Sequence, residues 1–146
     1  MSKAEQAKEL FLAGHNCAQA VLCTYAQDVG ISEEQARAAS ACFGGGLGGQ
    51  REVCGAVSAM CMVLSLKYAP KDPTDHAAKT AFYARIKEVC NRFKEENGSI
   101  ICRELLGLCA TQPSPQPRTQ AYYHARPCAD KVKSATAILE KYLAEE

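Results

Sequence analysis

The sequence predicts a single all-α domain over residues 1–146, a helical bundle of about five long and one or two short helices. Apolar residues recur at helical spacing along most of the chain. No segment alternates apolar and polar residues between turn residues, as a half-buried strand would. A length of 146 residues at 47% apolar content supports one hydrophobic core and leaves too little for a second full domain.

The elements follow in order. Lys3 to Ala13 places Ala7, Leu10 and Phe11 on one face, and Gly14 ends that helix. Asn16 is a good N-cap for a second helix, which carries Ala18, Val21, Leu22 and Tyr25 inward as far as Gly30. Ser32 with Gln35 three residues on reads as a capping box, opening a third helix that ends near Phe43. Five glycines in the six residues Gly44 to Gly49 then predict a loop. Val53 to Tyr68 is apolar nearly all round, as expected for the central, buried helix of a bundle, and Pro70 and Pro73 close it. Thr74 to Asn97 repeats Ala78, Phe82, Ile86 or Val89, and Phe93 at helical spacing and is the longest helix. Asn97-Gly98 stops it, and Ser99 caps a short helix over Ile100 to Leu106. Three prolines between Gln112 and Pro117 predict an irregular connection. A last helix follows Pro127, with Val132, Ala135, Ile138, Leu139, Tyr142 and Leu143 as its apolar face.

Charge and hydropathy exclude two classes of partner. With 17 Lys and Arg against 16 Asp and Glu, the net charge of +1 gives no field to attract a nucleic-acid backbone or an anionic membrane. The longest apolar run, Val53 to Leu66, is shorter than the ~20 residues that cross a bilayer. The opening residues MSKAEQAKEL lack the apolar core of a secretory signal, so a cytoplasmic protein is expected.

Nine cysteines are the anomaly of the composition. An odd number cannot pair completely within one chain, and in a reducing cytosol most should be thiols, metal ligands or redox groups. No C-x-x-C occurs anywhere, which removes the thioredoxin-type motif, the common zinc ribbons and covalent haem attachment.

The cysteines divide by their place on the expected helices. Cys17 follows the Asn16 cap, Cys54 follows the glycine-rich loop, Cys102 lies three residues past Ser99, and Cys128 follows Pro127. Free N–H groups and the dipole at a helix start favour an anion, so each of these four is expected to have its thiolate favoured and its pKa lowered. Cys23, Cys42, Cys61, Cys90 and Cys109 fall mid-helix or near helix ends and are expected to pack as small apolar side chains. His15, two residues from Cys17, is a candidate to hold that thiolate or to act as a ligand. Gly44, Gly46 and Gly49 match G-x-G-x-x-G, but the loop follows a helix rather than a strand, and no acidic residue stands about 20 positions later for a ribose. The loop reads instead as a bend that brings Cys54 near other helix starts, or as a nest of N–H groups for a cluster sulfide or small anion.

Four segments resemble the C-GCAxxG-C-C family of redox-active proteins: Gly14-His15-Asn16-Cys17-Ala18-Gln19, the Phe43 to Gln50 loop leading to Cys54-Gly55-Ala56, Gly98 to Gly107 around Cys102, and Cys128 before the final helix. That family is small, single-domain, found largely in anaerobic bacteria and some archaea, and defined by four cysteines. The resemblance spans nearly the whole chain and carries those four onto Cys17, Cys54, Cys102 and Cys128, as catalytic, cofactor-binding or metal-ligating residues. One position departs: Ala59 stands where the family has glycine.

Three functional readings follow. The leading expectation is electron transfer, with Cys17, Cys54, Cys102 and Cys128 converging on an iron–sulfur cluster. The alternatives are a cofactor-free thiol–disulfide oxidoreductase, in which two of the four cycle between dithiol and disulfide, and a metal-binding helical module without redox turnover. Structural zinc ranks lower, because ligands scattered over some 110 residues are unlike compact zinc modules. Either redox reading requires a redox partner, and neither calls for nucleic acid or a membrane. The four sulfurs are expected in one site at helix starts, with Cys61 and Cys90 facing the core.

Overall fold

The computed structural model of the chain describes residues 1–107 and 117–146, and for residues 124 and 125 the backbone alone. Its helices are α1 (Lys3–Leu12), α2 (Cys17–Tyr25), α3 (Glu33–Ser40), α4 (Gly44–Leu47), α5 (Gly55–Tyr68), α6 (His76–Asn97), α7 (Cys102–Leu106), α8 (Gln120–Ala125) and α9 (Cys128–Ala144). Among the described residues the only extended pairing is one isolated antiparallel bridge, Val53 with Ile101. The architecture is therefore an all-α bundle.

Local chemistry starts these helices where the sequence places caps. Ser2 accepts from the Glu5 N–H at 3.1 Å. At α2, Asn16 Oδ1 accepts from Gln19 N–H at 2.9 Å while Gln19 Oε1 accepts from Asn16 N–H at 3.0 Å, a closed capping box. Ser32 and Gln35 form the same reciprocal pair at α3. Asp75 caps α6 through Ala78 N–H at 3.0 Å, two residues later than the expected start at Thr74. Gly14 and Gly98 take positive φ after α1 and α6, a conformation that L side chains resist.

The core confirms α5 as the central element. Ala56, Val57, Ala59, Met60, Val63 and Leu64 are buried, and α2, α6 and α9 pack around the helix. From the other helices come Val21, Leu22 and Tyr25 of α2, Phe11 of α1, Val89 and Phe93 of α6, and Val132, Ile138, Leu139 and Tyr142 of α9. Burying a large apolar side chain contributes roughly 1.5–3 kcal/mol, so this set is the main term holding the bundle. Tyr25 keeps its hydroxyl satisfied there by donating to the Thr136 carbonyl at 3.2 Å, tying α2 to α9.

Several boundaries differ from expectation. The second helix ends at Tyr25 and continues as a single 3₁₀ turn, Gln27–Val29, before Gly30. The N-terminal turns of α6 run past the core, leaving Ala78 and Phe82 only half-buried. Ser99 does not cap α7; Ile101 holds the cap position, and Ser99 Oγ accepts from Ile101 N–H at 3.0 Å. Helix α8 has no counterpart in the sequence reading; Thr119 opens it by accepting from Tyr122 N–H at 3.1 Å. Most of the proline-rich connection lies outside the described residues, as does Cys109.

Candidate functional site

All four candidate cysteines stand at helix starts. Cys17 is the first residue of α2, Cys102 of α7 and Cys128 of α9, and Cys54 occupies the cap position of α5. The Val53–Ile101 bridge sets two of them side by side, because Cys54 N–H donates to Ile100 O at 2.8 Å and Cys102 N–H to Glu52 O at 2.6 Å. The four cysteines line one cavity of about 470 Å³, together with Phe11, Tyr122, Arg51, Arg118, Arg126 and Lys131. No Asp or Glu is among its described lining residues.

Glycines make this approach of backbones feasible. A Cβ on Gly55 would sit 2.7 Å from Cys17 Sγ and 2.7 Å from the Phe43 carbonyl oxygen. A Cβ on Gly46 would meet Glu52 N at 2.6 Å and Cys102 Cβ at 2.7 Å. The glycine-rich segment is thus no loose loop. It wraps over the bridge strand, with Arg51 N–H on Gly45 O at 3.0 Å and Glu52 N–H on Gly46 O at 2.9 Å. The segment is the bend beside Cys54, and its Gly45 N–H faces the protein's own Cys17 thiolate rather than a cluster sulfide.

The electrostatics separate the four thiols. Cys17 is lowered from 9.0 to about 6, chiefly because Cys54 donates a hydrogen bond to its thiolate and further because the Gly45, Ala18 and Ala56 N–H groups point at it. Cys54, only 6% exposed, is pushed well up by that same donated bond and by burial. Burial also raises Cys102, against the opposing pull of the Arg51 guanidinium at 3.9 Å, and raises Cys128 to about 12 with the Cys17 charge adding to it. The expectation that all four helix starts lower the thiol pKa therefore fails at Cys54, Cys102 and Cys128. At those three, loss of water outweighs the helix terminus. At Cys17 three N–H groups and a thiol replace the water.

This separation has a measurable outcome. With a pKa near 6, Cys17 is roughly 90% thiolate at pH 7, against a few per cent for an ordinary thiol. Iodoacetamide at pH 7 should therefore label Cys17 well before Cys128, and the Cys17 rate should titrate with a midpoint near pH 6. A midpoint above pH 8 would show that the cradle of donors does not act as described.

The iron–sulfur expectation is overturned. Among the described residues no group of three or more His, Cys, Asp or Glu side chains could hold a metal ion. The sulfurs share a cavity without converging as ligands, and Cys102 is engaged by Arg51. Cluster-borne electron transfer and a metal-binding module fall together with it. His15 does not hold Cys17 either. Its Nδ1 donates to Leu10 O at 3.2 Å, and it is not among the groups shifting the Cys17 thiol. Cys42 is exposed rather than packed, and Cys61 and Cys90 are part-buried with their sulfurs 3.6 Å apart.

Three residues of the site carry no cysteine-like signal in the sequence. Arg51 adopts φ +62° to bring its guanidinium to Cys102. Arg118 donates to the carbonyls of Phe11 at 3.2 Å and His15 at 3.1 Å, and stacks over the Phe11 ring at 4.6 Å. Arg126 stacks over Tyr122 at 4.7 Å. Only the paired aromatic and Arg residues of the 118–126 segment hinted at cation–π packing.

Fold and site together define a small all-α protein with four helix-start cysteines on one cation-lined cavity. Residues 15–142 match the family model described as "Putative redox-active protein (C_GCAxxG_C_C)", and the chain belongs to that family. No curated protein and no solved structure matches it. Among the described residues no helix is long and apolar enough to cross a membrane.

Proposed function

We infer that the protein is a thiol–disulfide oxidoreductase in which Cys17 attacks and Cys54 resolves. The observation that carries this reading is that Cys17 and Cys54 line one cavity with Cys17 Sγ packed against Gly55, the residue after Cys54, while the Cys17 thiol is lowered to about 6 and the Cys54 thiol raised. The Cys17 thiolate attacks one sulfur of a disulfide RS–SR′, forming a mixed disulfide and releasing R′S⁻. The Cys54 proton passes to R′S⁻, and the Cys54 sulfur then attacks Cys17 Sγ. RS⁻ leaves as the Cys17–Cys54 disulfide closes. Two protein thiols are oxidised and one substrate disulfide is reduced to two thiols; a dithiol partner restores the protein by the reverse exchange. Cys102 and Cys128, neutral at the cavity wall, modulate this couple. A nucleophile of pKa near 6 also makes a good leaving group, which favours turnover in both directions.

The cation lining supports anionic disulfides as substrates, since Arg118, Arg126 and Lys131 line the cavity and no Asp or Glu is among its described lining residues. A cytoplasmic setting, where dithiol reductants are available, suits the reaction. The test is stopped-flow consumption of oxidised glutathione by the reduced protein, followed by alkylation and peptide mapping. A Cys17–Cys54 link, with glutathione disulfide consumed faster than the neutral 2-hydroxyethyl disulfide, is the expected result. Consumption without that link would overturn the assignment of the pair, and equal rates would remove the lining from the account of specificity.

A further inference from the structure

Outside the cavity, two cysteines that the sequence assigns to packing face each other across two helices. Cys61 lies two turns into α5 and Cys90 in the C-terminal half of α6. Their sulfurs are 3.6 Å apart, at van der Waals contact, and 29 residues separate them in the chain. Both are part-buried rather than sealed, so a small reagent has a path to them. Forming a bond of about 2.05 Å requires an approach of only about 1.6 Å, within the reach of side-chain rotation and a small helix shift. The helix they would secure is the least anchored of the long ones: α6 buries only Val89 and Phe93 in the core. Cys90 lies one residue past Val89, so a bond there would fasten α6 at the point where it already touches α5.

We propose that Cys61 and Cys90 form a second dithiol, which a low-molecular-weight disulfide converts to a disulfide bracing α6 against α5. The site is independent of the Cys17–Cys54 couple. Cys90 is the attacking sulfur: its hydrogen bond with Cys61 lowers the Cys90 pKa and, with burial, raises that of Cys61. Cys90 attacks RS–SR, giving a mixed disulfide and RS⁻. That thiolate takes the Cys61 proton, and Cys61 attacks the Cys90 sulfur, expelling the second RS⁻. One small disulfide is reduced to two thiols as the two cysteines are oxidised. The closed loop removes conformational freedom from the unfolded chain, so the braced protein melts higher.

The experiment uses the full chain, reduced and then incubated with oxidised glutathione, quenched with N-ethylmaleimide and digested with trypsin. The peptide from Glu52 to Lys67 contains both Cys54 and Cys61, so fragment ions must place any link to the Cys90 peptide, Glu88 to Arg92. A Cys61–Cys90 link is expected, together with a rise in Tm on the order of 10 °C. Cys61→Ser should abolish the link and leave only the Tm change that closing Cys17–Cys54 brings, whereas Cys17→Ser, which cannot close that bond, should keep the Cys61–Cys90 link and its Tm rise. Recovery of Cys61 and Cys90 as alkylated thiols in the wild-type chain would overturn the proposal, and that result needs no variant to fold. Loss of the link in Cys17→Ser would overturn the independence of the two couples, while a persistent link in a variant inactive toward substrate would separate this site from the reading of the cavity.

Discussion

Replacing Cys17 by serine is expected to lower repeated turnover of disulfide in the presence of a dithiol reductant, measured in a Cys61→Ser background, by at least roughly 10³-fold, because a hydroxyl at that position is essentially un-ionised at neutral pH and removes the attacking atom itself. Cys54→Ser should behave differently. Its hydroxyl still donates to the Cys17 thiolate, so the first attack survives, but no resolving sulfur follows, and the chain should stop with one glutathione bound at Cys17. In a Cys61→Ser background, which silences the second dithiol, mass spectrometry would show a single adduct at Cys17 and the release of one equivalent of glutathione per chain. Cys54→Ala removes the donor as well, and the Cys17 alkylation midpoint should move up from about 6. Cys102→Ser and Cys128→Ser should still close the Cys17–Cys54 bond. If Cys17→Ser retained wild-type consumption, or if Cys54→Ser turned over repeatedly, the division of labour drawn above would be wrong.

The low Cys17 pKa also has a sign for stability. A group whose folded pKa lies below its unfolded value stabilises the fold above the unfolded value, and that contribution is lost as pH falls through the folded one. For Cys17 the window runs from about 9.0 down to about 6. Reduced protein should therefore gain stability from this group as pH rises across that interval.

The second large effect is structural. Gly46→Ala is expected to destabilise the protein by about 3 kcal/mol or more, from two causes that add. Its φ of +68° costs an L residue on the order of 1–2 kcal/mol. Its Cβ would also lie 2.6 Å from the Glu52 backbone nitrogen and 2.8 Å from Arg51 Cα, contacts that backbone can relieve only by moving, at a further 1–3 kcal/mol or so. The atoms displaced belong to the bridge that pairs Cys54 with Cys102, so the cavity should be disturbed along with the stability. Gly48→Ala isolates the first cause: φ is +61° and nothing lies within 4 Å of the added carbon. Urea denaturation of the two variants should place Gly48→Ala near 1 kcal/mol and Gly46→Ala well beyond it. Equal losses would show that strain alone, without close packing, governs this segment.

Much of the fold is local, and that is why it was legible. The Asn16–Gln19 and Ser32–Gln35 boxes close within three residues, and their sequence signature is their mechanism. The apolar period of Val132, Ala135, Ile138, Leu139 and Tyr142 predicts the buried face of α9 because helix geometry leaves no other side for it. The boundary errors have equally local causes: Asp75 is a better cap than Thr74 in this context, and Ser99 spends its oxygen on Ile101 N–H before α7 begins.

The site divides in the same way. Sequence by itself determined that four cysteines, Cys17, Cys54, Cys102 and Cys128, start helices, since caps and helix starts depend on neighbours a few residues away. Only the tertiary structure decided what those thiols do. Whether a thiol ionises depends on the water it loses and the donors it meets, and these arrive from distant segments: Gly45 and Ala56 beside Cys17, Arg51 beside Cys102. The same holds for ligation, where four favourable positions did not become a metal site, and for Cys61 and Cys90, whose 3.6 Å contact is set by the packing of α6 on α5 rather than by any motif. Electrostatics at thiols is a sum over neighbours in space, and spacing along the chain does not contain it.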